Sequence, residues 1–396
     1  MSAATVSGRV RALAVLLVAF GMLGAAELSG RIGYAWLDHA RAGKLQLTPF
    51  LKPYEMPDPA HPGNWVLRPG QAMTLAEVRA LLHGEGLVVG EEALEAGARA
   101  LGVADDAVIY RTNAEGYKGP PLDRSGTRPR VLAIGDSCTF GSLFERSTWP
   151  RSAERALAGL GVPAEVVNAG VNGYAPANAL VRLDEFRALA PRIAVLYIGW
   201  NALYADRSSP ARKPFALERL VRTIAARLAL RGKDPRQVAL EAYRRPKHPD
   251  ADDPAIARAA RCRATDRDDV ETLARGLAQS GVRVVLATLP GLYLREEAPS
   301  ERALAIGHLP LYTDNPYVIA ALADGWNVAL REMAPRIGAE LVDLDAWSRT
   351  ALRPRDAYFV DAVHLTEAGQ ERIGGEIARA IAPDLAASAG ARAAGG

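Results

Sequence analysis

The sequence predicts a three-layer α/β/α sandwich built on a five-stranded parallel sheet of the flavodoxin-like kind. Five short apolar runs are separated by helical segments, and they lie at residues 131–134, 165–168, 193–198, 282–287 and 340–343. Several of the helical segments end at a glycine directly before the next run, namely Gly161, Gly281 and Gly338. This alternation is typical of parallel strands joined by right-handed crossovers, and five units favour an open sheet over a closed eight-stranded barrel.

The composition is that of an ordinary globular protein with a sizeable core. Of the 396 residues, 49% are hydrophobic and 23% are charged. The 48 basic and 45 acidic residues nearly balance, and no nucleic-acid motif is present, so we expect no nucleic-acid partner. Two cysteines are too few for a disulfide framework. We expect neither a metal nor a cofactor, because the acidic cluster at 250–253 is better explained as a solvated loop.

Residues 1–30 predict a targeting segment. Arg9 and Arg11 precede an apolar run at 12–26, which Glu27 closes. As a helix this run spans only ~22 Å, against ~30 Å for the hydrocarbon core. A cleaved secretory signal and an uncleaved signal anchor therefore both remain open. Either one places the rest of the chain outside the cytoplasm, in a periplasm or cell envelope.

Four regions follow the targeting segment. Residues 31–128 predict a proline-rich linker, from 40 to about 70, and a small extension whose first helix opens with the capping pair Thr74 and Glu77. Residues 129–382 form the α/β domain, with an insertion at about 202–265. Its amphipathic stretch 217–230 is a solvated helix or, alternatively, a lid or membrane-surface helix. The Ala/Gly-rich end, 383–396, is expected to be disordered.

The chemistry begins at Ser137, which follows the first strand of the domain in the turn Gly-Asp-Ser-Cys-Thr-Phe-Gly. A serine in this position is a candidate nucleophile and needs a base within hydrogen-bond reach. Of the six histidines, His364 stands directly before the final helix and three residues after Asp361. That spacing lets the aspartate hold one imidazole nitrogen while the other faces the serine. The other histidines are interpreted as linker, helix-end or surface residues.

Two further loops contain candidate donors for an oxyanion. The second strand is followed by a glycine-containing loop in which Gly173 allows close approach to a substrate. The third strand is followed by Gly199, Trp200 and Asn201, whose side-chain amide can donate.

Together these four blocks, in this order, resemble the SGNH (GDSL-type) hydrolase superfamily over residues 130–382. The resemblance implies Ser137 as nucleophile, His364 as base and Asp361 as the acid that orients it. It also implies that the amides of Ser137 and Gly173 and the side chain of Asn201 form the oxyanion hole. The segment 111–117 is similar to membrane-anchored bacterial members.

The chain departs from the usual pattern at one position. The third block ends in Ala202, where the family usually has aspartate. The α/β-hydrolase elbow is excluded because it requires glycine where Thr139 stands.

We therefore expect an extracytoplasmic serine esterase that cleaves acyl esters, with acetyl esters favoured, through an acyl-enzyme. The alternatives are an O-acyltransferase that modifies a cell-envelope polysaccharide and a lipid esterase. A non-catalytic envelope scaffold is a further alternative. The expected partners are the ester substrate and a membrane bound by the N-terminal segment, while the oligomeric state stays open.

Overall fold

A computed structural model describes residues 24–25, 27–29, 52–84, 88–204, 241, 243–261 and 266–394. The chain divides into two compact units, Met1–Leu51 with Arg207–Val238 and Lys52–Asp206 with Ala239–Gly396. In the first unit only residues 24–25 and 27–29 are described, and these are helical. Within the described ranges, no helix combines the length and apolarity needed to cross a membrane. The stretch 217–230 and nearly all of the run 12–26 lie outside those ranges.

The second unit begins with two small antiparallel sheets. Strand β1 (Glu55–Pro57) pairs with β2 (Trp65–Leu67), and β3 (Ala72–Thr74) pairs with β4 (Val108–Arg111). Helices α1 (Leu75–Gly84) and α2 (Val88–Leu101) lie between β3 and β4. The predicted capping box is present, because the Glu77 amide donates to Thr74 Oγ1 and the Thr74 amide to Glu77 Oε2.

The described part of the expected linker differs from the prediction. Residues 52–70 contain the β1–β2 hairpin instead of an extended connection. The reason is burial, since Tyr54 and Leu67 of this segment belong to the hydrophobic core.

The central sheet has the predicted five parallel strands. They are β5 (Arg130–Gly135), β6 (Glu165–Gly170), β7 (Ile193–Tyr197), β8 (Arg283–Ala287) and β9 (Glu340–Val342). Their order is β6-β5-β7-β8-β9. The three strands β6, β5 and β7 are buried along nearly their whole length, as expected for a parallel sheet covered on both faces.

Two groups of helices flank the sheet. The helices are α3 (Ser137–Phe140), α4 (Trp149–Gly159), α5 (Pro176–Leu180), α6 (Leu183–Ala188), α7 (Trp200–Tyr204), α8 (Pro254–Arg261), α9 (Asp266–Ala278), α10 (Glu301–Ile306), α11 (Pro316–Ile337), α12 (Leu344–Ala351) and α13 (Glu367–Ala394). Helix α4 packs on α13, whereas α9 packs on α5, α6 and α11. The predicted terminal glycines 161, 281 and 338 all adopt positive φ.

The end of the chain also differs from the prediction. Helix α13 continues to Ala394 instead of becoming disordered at residue 383. Alanine has the highest helix propensity, Leu385 is buried, and Asp384 pairs with Arg283 at 2.6 Å. These interactions extend the helix beyond Pro383.

Gly135 and Gly170 lie beside the turn after β5, where the packing leaves no space for a side chain at either position. A Cβ on Gly170 would lie 2.1 Å from the Phe140 amide nitrogen, and one on Gly135 would lie 2.2 Å from the Tyr197 carbonyl oxygen. Because these neighbours are backbone atoms, they cannot rotate away. The carboxyl ends of β5, β6 and β7 are therefore held in close contact.

We predict that Gly170→Ala lowers the free energy of unfolding by about 2 kcal/mol, because the added methyl group overpacks a rigid site. Gly159→Ala is the matched control, since a Cβ there meets nothing within 4 Å and lies in helix α4. The control should gain about 0.5 kcal/mol from helix propensity. Urea unfolding of both variants measures the difference, and equal stability would contradict the packing argument.

Candidate active site

The predicted nucleophile lies in the turn at the carboxyl end of β5. Ser137 is the first residue of the one-turn helix α3, and Asp136 is its N-cap. One oxygen of the buried Asp136 carboxylate accepts from the Cys138 amide at 2.9 Å. The other accepts from the Gly199 and Trp200 amides at 3.2 Å each. Burial raises the pKa of Asp136, and these amide donors oppose that rise.

The structure brings the predicted nucleophile, base and acid into one hydrogen-bonded chain. His364 Nε2 lies 2.7 Å from Ser137 Oγ, and His364 Nδ1 lies 2.7 Å from Asp361 Oδ2. The second oxygen of Asp361 accepts from the amides of Val363 and His364 at 2.9 and 2.8 Å. An ionised carboxylate only accepts, so the Nδ1–H tautomer is favoured and Nε2 is left to accept the serine proton.

The charges of Asp361 and His364 suit proton transfer from Ser137. Burial disfavours the charged form of Asp361, but the interaction with His364 and the hydrogen bonds from the His364 and Val363 amides hold the pKa of that carboxyl well below its usual range. Burial also disfavours charged His364, yet the adjacent Asp361 carboxylate outweighs it and raises the pKa of the imidazole above its usual value. The aspartate thus stays ionised while the histidine gains basicity.

The predicted oxyanion donors come from loops on both sides of β5. Gly173 follows β6 and has φ of +78°. Asn201 lies in α7 after β7, and its Nδ2 donates one hydrogen to the Tyr174 carbonyl at 3.0 Å, which leaves the second amide hydrogen available. In the part of the chain that the structure describes, the amides of Ser137 and Gly173 donate to no other group. Both N–H groups are therefore available to a substrate oxygen.

Sequence reasoning missed a tyrosine from the predicted insertion. The Tyr243 hydroxyl donates to Asp361 Oδ2 at 3.1 Å, and its ring stacks on His308 with centroids 4.8 Å apart. His308 also stacks on Tyr204 at 5.3 Å, so this histidine, predicted to lie at the surface, is half-buried and contacts two tyrosine rings. Burial lowers the pKa of His308. No sequence motif around Tyr243 indicates this contact, because only the tertiary fold brings Tyr243 and Asp361 together.

A buried lysine supports the nucleophile turn from the other side. Lys118 Nζ donates to the Phe140 carbonyl at 3.1 Å and to the Ser142 carbonyl. Its ammonium also lies 3.7 Å from the Phe140 ring centroid. Burial lowers the pKa of Lys118 to about 7. The two hydrogen bonds satisfy carbonyl groups at and just after the C-terminal end of α3. No sequence pattern indicated them.

A cleft of about 490 Å³ opens beside Ser137 and His364. Its walls come from α2, α10, the loop after α3 and the turn before α13. About half of the lining side chains are apolar, and apolar atoms form most of the exposed wall surface. These apolar residues are Ala93, Leu94, Ala96, Leu143, Phe144, Ala305, Ile306, Phe359, Val360 and Leu365. Arg244, paired with Glu92, and Arg302 also line the cleft.

Two small residues that follow Ser137 and Asn201, Cys138 and Ala202, are buried. Cys138 is buried, and burial raises the pKa of its thiol far above the usual value, so it is no competing nucleophile. Its Sγ lies 3.5 Å from the Val363 carbonyl. Ala202 is buried in α7, which explains why a small apolar residue is tolerated in place of an acid.

Part of the chain matches a model of a known protein family. Residues 133–285 match the model of the GDSL-like Lipase/Acylhydrolase family. The matched segment contains Ser137, Gly173 and Asn201 but ends before Asp361 and His364. With the five-stranded sheet, this match confirms the predicted fold class and the predicted enzyme class, a hydrolase of carboxylic esters.

Solved structures similar to this chain have low sequence identity to it. The lipase/acylhydrolase from Enterococcus faecalis is 18% identical, covers 65% of this chain and 96% of its own, and has a TM-score of 0.38. A catalytic mutant of Axe2, an acetylxylan esterase from Geobacillus stearothermophilus, is 16% identical, with coverages of 65% and 94% and a TM-score of 0.39. A search of curated proteins found no match.

We predict that kcat/KM for ester hydrolysis rises with pH through an ionisation above the usual pKa of a histidine, because only neutral His364 can accept the serine proton. Asp361→Asn should move this midpoint to lower pH, since it removes the negative charge that raises the imidazole pKa. It should also lower kcat by about 10⁴-fold. The pH–rate profiles of both proteins test this, with the exposed Asp252→Asn as control. An unshifted midpoint in Asp361→Asn would contradict the assignment.

Proposed function

We propose that this protein is a serine esterase that hydrolyses acyl esters through Ser137, His364 and Asp361. The observation that carries the proposal is the pair of 2.7 Å contacts that links these side chains at the carboxyl end of β5. Ligands bind at this edge in open α/β sheets.

Each residue has a distinct role in the proposed reaction. Ser137 Oγ attacks the ester carbonyl carbon while its proton moves to His364 Nε2, and the Asp361 carboxylate stabilises the imidazolium. The negative charge that develops on the carbonyl oxygen is met by the amides of Ser137 and Gly173 and by the Asn201 side chain. His364 then protonates the leaving alcohol, and an acyl-enzyme remains. Water then attacks the acyl carbon while His364 accepts one of its protons. Ser137 Oγ leaves and regains that proton from His364, and the carboxylic acid is released.

Acetyl esters of a cell-envelope polysaccharide remain the first candidate substrate, as expected from the sequence. The apolar cleft favours a second candidate, an ester with a longer aliphatic group of the kind found in lipids. A cleft of about 490 Å³ exceeds what an acetyl group needs, and its walls offer mainly carbon atoms. O-acyl transfer to a sugar hydroxyl uses the same acyl-enzyme and differs only in the acceptor.

The location that we propose is extracytoplasmic, with tethering by an N-terminal signal anchor. This rests on Arg9, Arg11 and the apolar run at 12–26 and on the similarity of segment 111–117 to membrane-anchored bacterial members. Fractionation of cells that express the full chain, with alkaline extraction of the membranes, distinguishes an anchor from a cleaved signal.

We predict that Ser137→Ala lowers p-nitrophenyl acetate hydrolysis by at least about 10⁴-fold, because the acyl-enzyme cannot form. A phosphonofluoridate probe should label Ser137 in the folded native protein. The control is Ser125→Ala, which changes an exposed loop serine and should keep full activity. Full turnover in Ser137→Ala would overturn the proposal.

The same assay separates the alternatives. If an oligosaccharide acceptor captures the acyl group as a new ester, the protein is a transferase. If the native protein is neither labelled nor active, a non-catalytic scaffold is favoured instead.

We predict that kcat/KM increases along a series of p-nitrophenyl esters from acetate to octanoate. Each methylene that enters the apolar cleft contributes about 0.8 kcal/mol, or roughly fourfold. Ala96→Phe, which fills the cleft from α2, should reduce the activity on octanoate at least tenfold and leave acetate nearly unchanged. Ala380→Phe on an exposed face of α13 is the control. A series of alkyl acetates tests the alcohol side. Highest activity on the acetate of the p-nitrophenyl series, with no gain from longer alcohols in the alkyl acetate series, would retain the acetyl assignment.

A further inference from the structure

The β1–β2 hairpin contacts the loop that contains one predicted oxyanion donor. Trp65 Nε1 donates to the Asn172 carbonyl oxygen at 2.9 Å. That carbonyl and the Gly173 N–H belong to the same peptide group. Because a peptide group is planar and trans, a hydrogen bond that fixes its oxygen also fixes the direction of its N–H. A carbonyl that accepts a hydrogen bond further polarises the N–H of its own peptide.

The Trp65 ring and two residues at the start of the hairpin, Tyr54 and Glu55, make further contacts with the Asn172–Gly173 segment. The Trp65 ring lies against Gly173, where a Cβ would be 3.3 Å from Trp65 Cζ2. The Asn172 side chain donates to Glu55 Oε1 at 3.1 Å and to the Tyr54 hydroxyl at 3.2 Å. Glu55 and Tyr54 are buried, so the surrounding protein restricts the positions of these acceptors. The Asn172–Gly173 peptide is thus anchored at its carbonyl, its side chain and its α-carbon.

The same contacts continue to the second predicted donor. The Tyr174 hydroxyl donates to the Trp65 carbonyl and accepts from Asn64 Nδ2 at 3.2 Å. The Tyr174 carbonyl in turn accepts from Asn201 Nδ2. One hairpin, which lies outside the family-matched segment 133–285, therefore contacts the supports of both Gly173 and Asn201.

We propose that Trp65 is a positioning residue for the oxyanion site and that the β1–β2 hairpin is part of the active site. The inference rests on the proposed esterase function. Trp65 touches no reacting atom in this scheme; it aims the Gly173 N–H at the oxyanion through the Asn172 carbonyl.

Trp65→Phe removes the indole N–H and retains an aromatic ring against Gly173. Loss of a whole oxyanion donor costs about 10²–10³-fold in kcat, so a misdirected donor should cost about tenfold. KM should change less than twofold, because the donor acts mainly on the transition state. The inhibition constant of a trifluoromethyl ketone, which forms an oxyanion on Ser137, should rise by the same factor as kcat falls. The pH midpoint should stay unchanged, since Trp65 does not contact His364.

Trp347→Phe is the matched control, because Trp347 is a partly buried tryptophan of α12 and should tolerate the change. Asn172→Ala is the second variant in case Trp65→Phe folds poorly. It removes the contacts with Glu55 and Tyr54 and should lower kcat about threefold. If both act on one peptide, the double variant should lose less than the product of the single losses.

The outcomes separate this inference from the function on which it rests. If Trp65→Phe and Asn172→Ala are less stable but keep native kcat and ketone affinity, the hairpin is only structural and the inference is wrong. If Ser137→Ala is inactive in the same assays, the esterase proposal survives that result. If Ser137→Ala remains active, the esterase proposal itself fails.

Discussion

The site depends on one buried carboxylate. Asp136 caps the helix that begins with Ser137 and, through its second oxygen, binds two amides of the loop after β7. A buried charge without partners would be very costly, so those amides and the turn must stay in place for the fold to be stable. The nucleophile turn and the loop that leads to Asn201 are thereby joined by the same interaction. The negative charge of Asp136 also helps raise the pKa of His364.

The site combines parts from distant places in the chain because parallel strands end at one edge. Strands β6, β5 and β7 are neighbours, and their following loops contain Gly173, Ser137 and Asn201 in that spatial order. Asp361 and His364 arrive from the turn before the last helix. That turn contacts the nucleophile turn through Cys138 Sγ and the Val363 carbonyl, which is a second reason for a small buried residue beside the serine.

Segments other than the central sheet and the turns that follow it complete the surroundings of the site. The β1–β2 hairpin supports the oxyanion loops, α2 forms a wall of the cleft, and Tyr243 from the insertion contacts Asp361. The sheet and the turns that follow it therefore position the proposed catalytic residues, whereas added segments shape the space around them. Functions differ among proteins of one fold for this kind of reason.

The sequence by itself determined the parallel sheet, its five strands and the small set of residues that the structure brings together at Ser137. It did so because strand periodicity, terminal glycines and the Asp361–His364 spacing are local patterns that need no knowledge of distant contacts. Only the tertiary structure decided the hairpin in the expected linker, the helix beyond residue 383, the stacking of His308 between tyrosines and the contacts of Trp65, Lys118 and Tyr243. Each of these depends on packing between residues far apart in the chain, and no local pattern encodes which distant surface a side chain will meet.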